Sequence, residues 1–325
     1  MGARYLTRRL MSALLTIAII VLLNFVLFRM MPGSPERILL GRLPGVTQQV
    51  IEGTRERWGL DKPLFPDQFV AYVGATMTGD LGFSYAEAGS TVTELLADRV
   101  GPTLLLFGLG EILAILLGLA LGAYSGWKRG GLIDHVGNGL SLFLYSTPYF
   151  LLGMALLIIF ATGLGWFPTF GMVTAGEKYS DVFEHFWDIG RHLVLPLATV
   201  ALGLVGQYAI LMRSSILDTL TEDYVTTARA KGLPEGRILR SHALPNALLP
   251  TVSLVAINLG YVVAGAVTVE VVFNWPGLGT LTVDALSARD YPVLQGIFLL
   301  LSVTVVVANL AADLIYGLLD PRVRT

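Results

Sequence analysis

Cysteine is absent from the 325 residues, and the four histidines (His135, His185, His192 and His242) stand far apart without metal-ligand spacing. No G-x-x-x-x-G-K-[ST] loop is present to cradle phosphate, since the chain contains no Gly-Lys pair. H-E-x-x-H and G-x-S-x-G elements are missing as well. The sequence therefore carries no recognisable means of hydrolysing nucleotide, and none of zinc or nucleophilic catalysis. Any active movement of a solute must draw its energy from a partner or an ion gradient. What the sequence does carry is a basic, sharply punctuated stretch at 219–245 and a few carboxylates and amides set in apolar surroundings. The first suits docking against another protein. The second suits lining a path or tying helices together.

In the punctuated stretch, Thr219 precedes Glu222 by three residues, the S/T-x-x-E spacing of a helix N-terminus. Glu222 and Asp223 fall in the first turn, where the helix dipole favours carboxylates. Arg229 and Lys231 fall in the last, where it favours cations. Gly232 supplies a residue able to turn left-handed at the C-terminus, and Pro234 suits the first turn of a second short helix. A charged side chain at Gly232 is expected to clash at this elbow. A short helix of this kind can lie in a groove of a partner and transmit rigid-body motion. Ala228 and Ala230 would permit close approach, Tyr224 and Leu233 would serve as anchors, and Arg229, Lys231 and Arg237 would pair with an acidic rim. The alternative is a loop whose positive charge only sets membrane topology; the start and stop signals favour docking.

Among the polar residues in apolar runs, Glu111 lies deep, Glu270 stands near a run's end and Asp313 late in the last run. A carboxylate at the bilayer centre costs roughly 2.5–3.5 kcal/mol on insertion scales, so such groups face a partner or a cavity. Glu111, Gln207, Asn258 and Glu270 are the candidates for a translocation path. Each has a structural alternative: Glu111 as a residue satisfied between helices, Glu270 as a boundary marker before VVFNWPGLG, and Gln207 and Asn258 as interhelical hydrogen-bonders.

The elements that hold these residues follow from composition. With 54% hydrophobic and only 14% charged residues and a mean hydropathy of +0.67, the chain is an integral membrane protein, since soluble domains carry roughly 25% charge. A net charge of −2 argues against a nucleic-acid surface. The first apolar run stays uncharged from Leu10 to Phe28, too long for a secretory signal, and lacks a cleavage site; it reads as a retained span. Six runs can cross a hydrocarbon core of about 30 Å: Leu10–Met31, Pro102–Ser125, Val136–Thr162, Leu193–Met212, Leu248–Phe273 and Val293–Leu318. Pro148, Pro196 and Pro250 can kink spans, and Gly108, Gly110, Gly118 and Gly122 offer a small-residue packing face.

Orientation comes from flanking cations. Twelve lie in the N-terminus (Arg4, Arg8, Arg9), at Lys128 and Arg129, in the 213–247 loop and in the tail (Arg322, Arg324). The opposite short loops hold only Lys178, Arg191 and Arg289. Both termini and the 213–247 loop are thus expected in the cytoplasm. Three regions result: residues 1–31, a tail and first helix; 32–101, an extracytoplasmic segment read as a small helical cap or a loose spacer; and 102–325, a five-helix core with its cytoplasmic loop.

The stretch TTARAKGLPEGRILRSHALP resembles the EAA loop of permease subunits in ATP-binding-cassette importers, whose pattern is E-A-A-x3-G-x9-I-x-L-P. The pattern falls on Thr226-Thr227-Ala228, Gly232, His242 and Leu244-Pro245, with Thr in place of Glu and the first Ala, and His in place of Ile. Further stretches resemble the oligopeptide/dipeptide/nickel branch of those permeases: FVLFRMMPGSP (25–35), WGLDKPLFPDQF (58–69), GDLGFSY (79–85), STPYFLLG (146–153), DYVTTARAKGL (223–233), VEVVFNWPGLG (269–279), RDYPVLQG (289–296) and LLDPRVR (318–324). The resemblance spans nearly the whole chain in order and is nearest to the first permease subunit of such systems.

It implies an all-α, six-helix importer permease in the bacterial plasma (inner) membrane. It further implies a homologous second permease, ATPase subunits that use ATP and Mg, and an extracytoplasmic peptide-binding protein, with no cofactor bound by this chain itself. The EAA loop, Glu222–Leu233, would be the helix seated in the ATPase cleft. Oligopeptide is the implied cargo, with dipeptide or nickel chelate as alternatives. An ion-coupled secondary transporter using Glu111 or Glu270 is a different reading, against which stands the lack of self-similarity between halves. A membrane enzyme would need a nucleophile or metal cluster that the sequence lacks.

Overall fold

A computed structural model describes residues 3–30, 52, 61–87, 89–262 and 267–319. Four of its helices are long and apolar enough to cross a bilayer. These are α1 (Ala3–Met30), α3 (Val92–Trp127), α6 (Val182–Leu220) and α12 (Tyr291–Leu319). Between α1 and α3 lie the turn Leu64–Gln68 and the short α2 (Phe69–Met77). The hydrophobic runs located these helices well, yet each extends past its run. At about 1.5 Å per residue, the 39 residues of α6 reach about 58 Å, nearly twice the hydrocarbon thickness. Their polar end turns are invisible to a search for apolar windows.

The expected third span is not a single rod. Helix α4 (Leu132–Ser146) stops at Thr147-Pro148, and α5 (Tyr149–Leu156, continued by wider turns to Gly163) leaves at 104° to it. Thr147 takes an extended backbone, as the residue before proline must when the ring crowds its helical conformation. Its hydroxyl and that of Ser146 return hydrogen bonds to the Phe143 carbonyl, so the break is internally satisfied. Pro196 and Pro250, by contrast, lie inside continuous helices. Counting the bent pair as one span gives five among the described residues. The remaining expected span, Leu248–Phe273, runs through α9 (Leu244–Tyr261) and α10 (Val267–Phe273) but includes residues 263–266, which lie outside the described set.

Helices α3 and α6 form the spine and run parallel. A Cβ added at Gly110 would meet Val200 at 2.5 Å, at Gly118 Tyr208 at 2.5 Å and at Gly122 the Ala209 carbonyl at 2.3 Å. With buried Ala114 and with Gly126, these form a strict four-residue stripe along which the backbones nearly touch. Gly108 is off that register and faces open space, so it does not belong to the packing face.

Helix α1 runs antiparallel to α12. Tyr5 and Arg9 meet Asp313 at one end, and Asn24 donates to the Gln295 carbonyl further along. Asp313 therefore ties the two chain ends together at 2.8 Å.

At the end opposite Lys128 and Arg129, the stretches GDLGFSY and RDYPVLQG prove to be one structure. The Ser84 hydroxyl and the Ala86 amide both donate to the Asp290 carboxylate, and Gly296 leaves just enough room for Val92. Phe25, Phe65, Phe69 and Tyr72 stack alongside, so the described part of 61–101 packs on the bundle rather than hanging loose. On the same side, Asp188 of α6 accepts from the Thr174 amide and from the Tyr179 phenol at 2.7 Å. That carboxylate pushes the phenol up to about 12.

Candidate functional site

The punctuated stretch stands outside the spans as expected, with its boundaries shifted. Helix α7 (Asp223–Ala230) is capped by Glu222, whose backbone is extended and whose carbonyl accepts from Val225 and Thr226. Thr219 is not its cap. It belongs to the last turn of α6, where its hydroxyl bonds back to the Ser215 carbonyl at 2.7 Å. The S/T-x-x-E spacing does not mark a helix start here because α6 stays helical through Leu220, eight residues past the end of the apolar run at Met212.

The C-terminal end stops as the residue types predict. Gly232 sits at φ +76°, its amide donates to Arg229 and that of Leu233 reaches back to Ala228, the paired bonds of a left-handed helix stop. Pro234 then caps α8 (Glu235–Ile238) from the N-cap position, and wider turns lead on to α9. Nothing lies within 4 Å of a Cβ built at Gly232, so the expected clash with a charged side chain does not occur. Only the backbone resists substitution there.

The faces of α7 divide cleanly. Val225, Ala228 and Ile238 are buried against Trp127 at the end of α3, Leu220 at the end of α6, and Leu233. Ala228 is 4% exposed and Leu233 half-buried, and both help seat the helix on its own chain. The outer face presents Asp223, Tyr224, Thr227, Ala230 and Lys231, flanked by Arg237. Arg229 is exposed too and reaches Glu235 across the elbow at 3.1 Å. Partial burial, then the Glu222 charge, raises the Tyr224 phenol above its ordinary value. Leu244 packs beside Met212, Ile216, Ala243 and Ala247, and Pro245 is exposed one residue on.

Beneath this seat lies a cluster that sequence reasoning missed. Asp134, 3% exposed at the start of α4, takes the Arg213 guanidinium at 2.6 and 3.1 Å, the Ser125 hydroxyl at 2.9 Å and the Gly130 amide at 2.9 Å. The only sequence signal was an acidic residue in the first turn of an apolar helix. In the sequence Arg213 reads only as a topology charge.

The four path candidates do not form one lining. Glu111 of α3 is 2% exposed and accepts a hydrogen bond from the Tyr208 hydroxyl of α6, which in turn accepts from Asn258 of α9 at 2.9 Å. Glu111 and Asn258 are thus joined through a tyrosine into a tie across three helices. Gln207 is half-buried next to Tyr208 in sequence, with its side chain on a different bearing of α6.

Glu270 is a cap and not a lining residue. Fully buried, its carboxylate accepts from the Gly279 and Thr280 amides, at 2.7 and 3.2 Å, at the start of α11 (Leu278–Ala288). It also accepts from Thr103 of α3 at 2.8 Å, whose oxygen takes the Leu278 amide. The first three amides of α11 are thereby satisfied. A Cβ at Gly277 would stand 2.3 Å from this carboxylate, which explains the glycine there. Among the described residues no three His, Asp or Glu side chains converge to hold a metal ion.

Comparison with known proteins identifies the family to which this helical bundle belongs. Residues 114–325 match the family described as the binding-protein-dependent transport system inner membrane component, and residues 2–106 its N-terminal membrane component. The chain belongs to this family: it is a permease subunit of an ATP-binding-cassette importer, of the peptide/dipeptide kind.

A protein named as a peptide permease in Brucella suis biovar 1 (strain 1330) is 38% identical over 321 residues, 99% of each chain. The glutathione transport system permease protein GsiC of Salmonella choleraesuis is 38% identical over 320 residues, 98% of each. A chain of the inward-facing MetNI methionine ABC transporter superposes with a TM-score of 0.55 at 20% identity, over 70% of this chain and 97% of that one. That last likeness concerns fold alone. The family sets aside the ion-coupled secondary transporter and the membrane enzyme.

Proposed function

We propose that this chain, paired with a homologous second permease in a bacterial inner membrane, passes small peptides inward at the expense of ATP hydrolysed with Mg in separate ATPase subunits. An extracytoplasmic binding protein delivers the cargo. Both termini and α7 face the cytoplasm, as the twelve-to-three distribution of flanking cations implies. Residues 1–31, 32–101 and 102–325 then serve as tail and first transmembrane helix, extracytoplasmic segment and permease core.

The observation that carries this reading is α7 itself. It is a helix stopped at its C-terminal end by Gly232, fixed to α3 and α6 by its inner face and showing a polar, unburied outer face. An ATPase cleft closing on Asp223, Tyr224, Arg229, Lys231 and Gly232 would push on Trp127 and Leu220 behind them. Ala228 and Leu233 contribute by keeping the helix seated, while Leu244, at the start of α9, packs against the end of α6 and Pro245 stays exposed beside it. Peptide cargo is favoured over a nickel chelate because relatives matching over nearly their full length are named for peptide and glutathione.

The test is uptake into proteoliposomes holding both permeases, the ATPases and the binding protein. Labelled di- to pentapeptides accumulate only with ATP and Mg inside the liposome, the side that stands for the cytoplasm, and a protonophore changes nothing. Accumulation driven by a proton gradient without nucleotide would overturn the proposal.

A further inference from the structure

Three helices end together beneath α7, and they are held by different means. Helices α3 and α6 touch along the glycine stripe as far as Gly126, where an added Cβ would meet the Arg213 carbonyl at 3.0 Å and Ile216 at 3.1 Å. Helix α4 comes close to α3 at Gly137, where an added Cβ would stand 3.3 Å from Leu121 and 3.4 Å from the Ser125 hydroxyl. Its first turn is brought in by Asp134, whose carboxylate collects donors from α3 (Ser125), from the connecting turn (Gly130) and from α6 (Arg213). Every oxygen lone pair of consequence is used, and the two-pronged guanidinium contact fixes angle as well as distance. The same two helix ends carry α7: Trp127 is two residues beyond Ser125, and Leu220 is two turns beyond Arg213.

We propose that Asp134 and Arg213 are positioning residues that weld the ends of α3, α4 and α6 into one block under α7, so that displacement of α7 moves three helices together. Without the weld, α7 would still push on Trp127 and Leu220, but α4 and the bent α5 beyond it would lag. Thrust would be lost as local slip. The inference rests on the proposed seating of an ATPase against α7.

The experiment uses the complete transporter in proteoliposomes and reads ATP hydrolysed per peptide imported. Asp134→Asn weakens the guanidinium contact while keeping the shape of the side chain. It is expected to raise that ratio by about fivefold or more, the lower range of coupling between linked sites. A second chain carries Asp134→Asn with Ser125→Cys and Gly137→Cys. The Cβ positions of 125 and 137 lie 3.6 Å apart, within disulfide reach, and the natural chain has no cysteine to compete. Oxidation should return the ratio to within about twofold of the wild type, and reduction should abolish that rescue, which a merely structural role would not predict. Should Asp134→Asn fail to assemble, Arg213→Lys removes the fork but keeps the charge and is read the same way.

An unchanged ratio in either variant, with the ATPase still cross-linking to a cysteine placed at Ala230, overturns the weld. Absence of that cross-link in the otherwise wild-type transporter overturns the seating of the ATPase instead, and with it the proposed function.

Discussion

Gly232 shows how far one backbone angle governs a surface helix. At φ +76° a side chain costs about 1–2 kcal/mol, and the open space around its Cβ position adds nothing to that sum. Asparagine and aspartate tolerate this region better than alanine or valine because their short polar groups bond locally. We expect Gly232→Val and Gly232→Ala to fray the end of α7, and Gly232→Asn and Gly232→Asp to do so less. Limited proteolysis between Lys231 and Arg237 in the assembled complex checks the order. Equal cleavage in all four variants would mean that the left-handed stop does not hold the elbow. The sequence made Gly232 legible because conformation at that position depends on residue type alone. It hid the inner face of α7, since nothing local to Ala228 or Leu233 reveals that Trp127, about a hundred positions earlier, waits beneath them.

Among the elements, the turn from α10 into α11 depends most on a single side chain. Glu270 satisfies two amides and a hydroxyl in a site without exposed surface. Removing it strands donors that cost about 1–3 kcal/mol each when buried without partners. Glu270→Ala should lower the unfolding midpoint of the detergent-solubilised protein clearly more than Glu270→Gln, which keeps one oxygen as acceptor. The reverse order would contradict the capping role. In the sequence this residue looked like a boundary marker or a path carboxylate, because its acceptors' partners are backbone amides nine and ten positions later in a turn that periodicity cannot resolve. Asp134 and Arg213 were illegible for a related reason, being 79 residues apart with no motif between them. The long helices were legible because twenty apolar residues in water have no good alternative to a membrane. The break at Pro148 was half legible: proline announced a kink, while its 104° angle and the seating of Tyr149 over Gly203, where an added Cβ would meet the ring at 2.3 Å, depend on residues far apart in sequence.

At the scale of the molecule, two ends of different character imply a fixed orientation. One end holds α7, Asp134 and the Arg9–Asp313 contact; the other holds the Ser84–Asp290 and Asp188 clusters. Because the chain has no cysteine, single replacements report position without background. In intact spheroplasts, a membrane-impermeant maleimide should label Glu177→Cys but reach Glu235→Cys only after lysis. Both residues are exposed, so the reverse pattern would invert the topology rather than indicate burial. The Ser84–Asp290 contact carries a further consequence, for biogenesis. Its partners are 206 residues apart, and at about 5–20 residues per second a ribosome needs roughly 10–40 s to deliver the second after the first. Throughout that interval the contacts of Ser84 and Ala86 with Asp290 cannot form, so a polypeptide stalled before Asp290 should be cleaved near Ser84 more readily than the finished subunit.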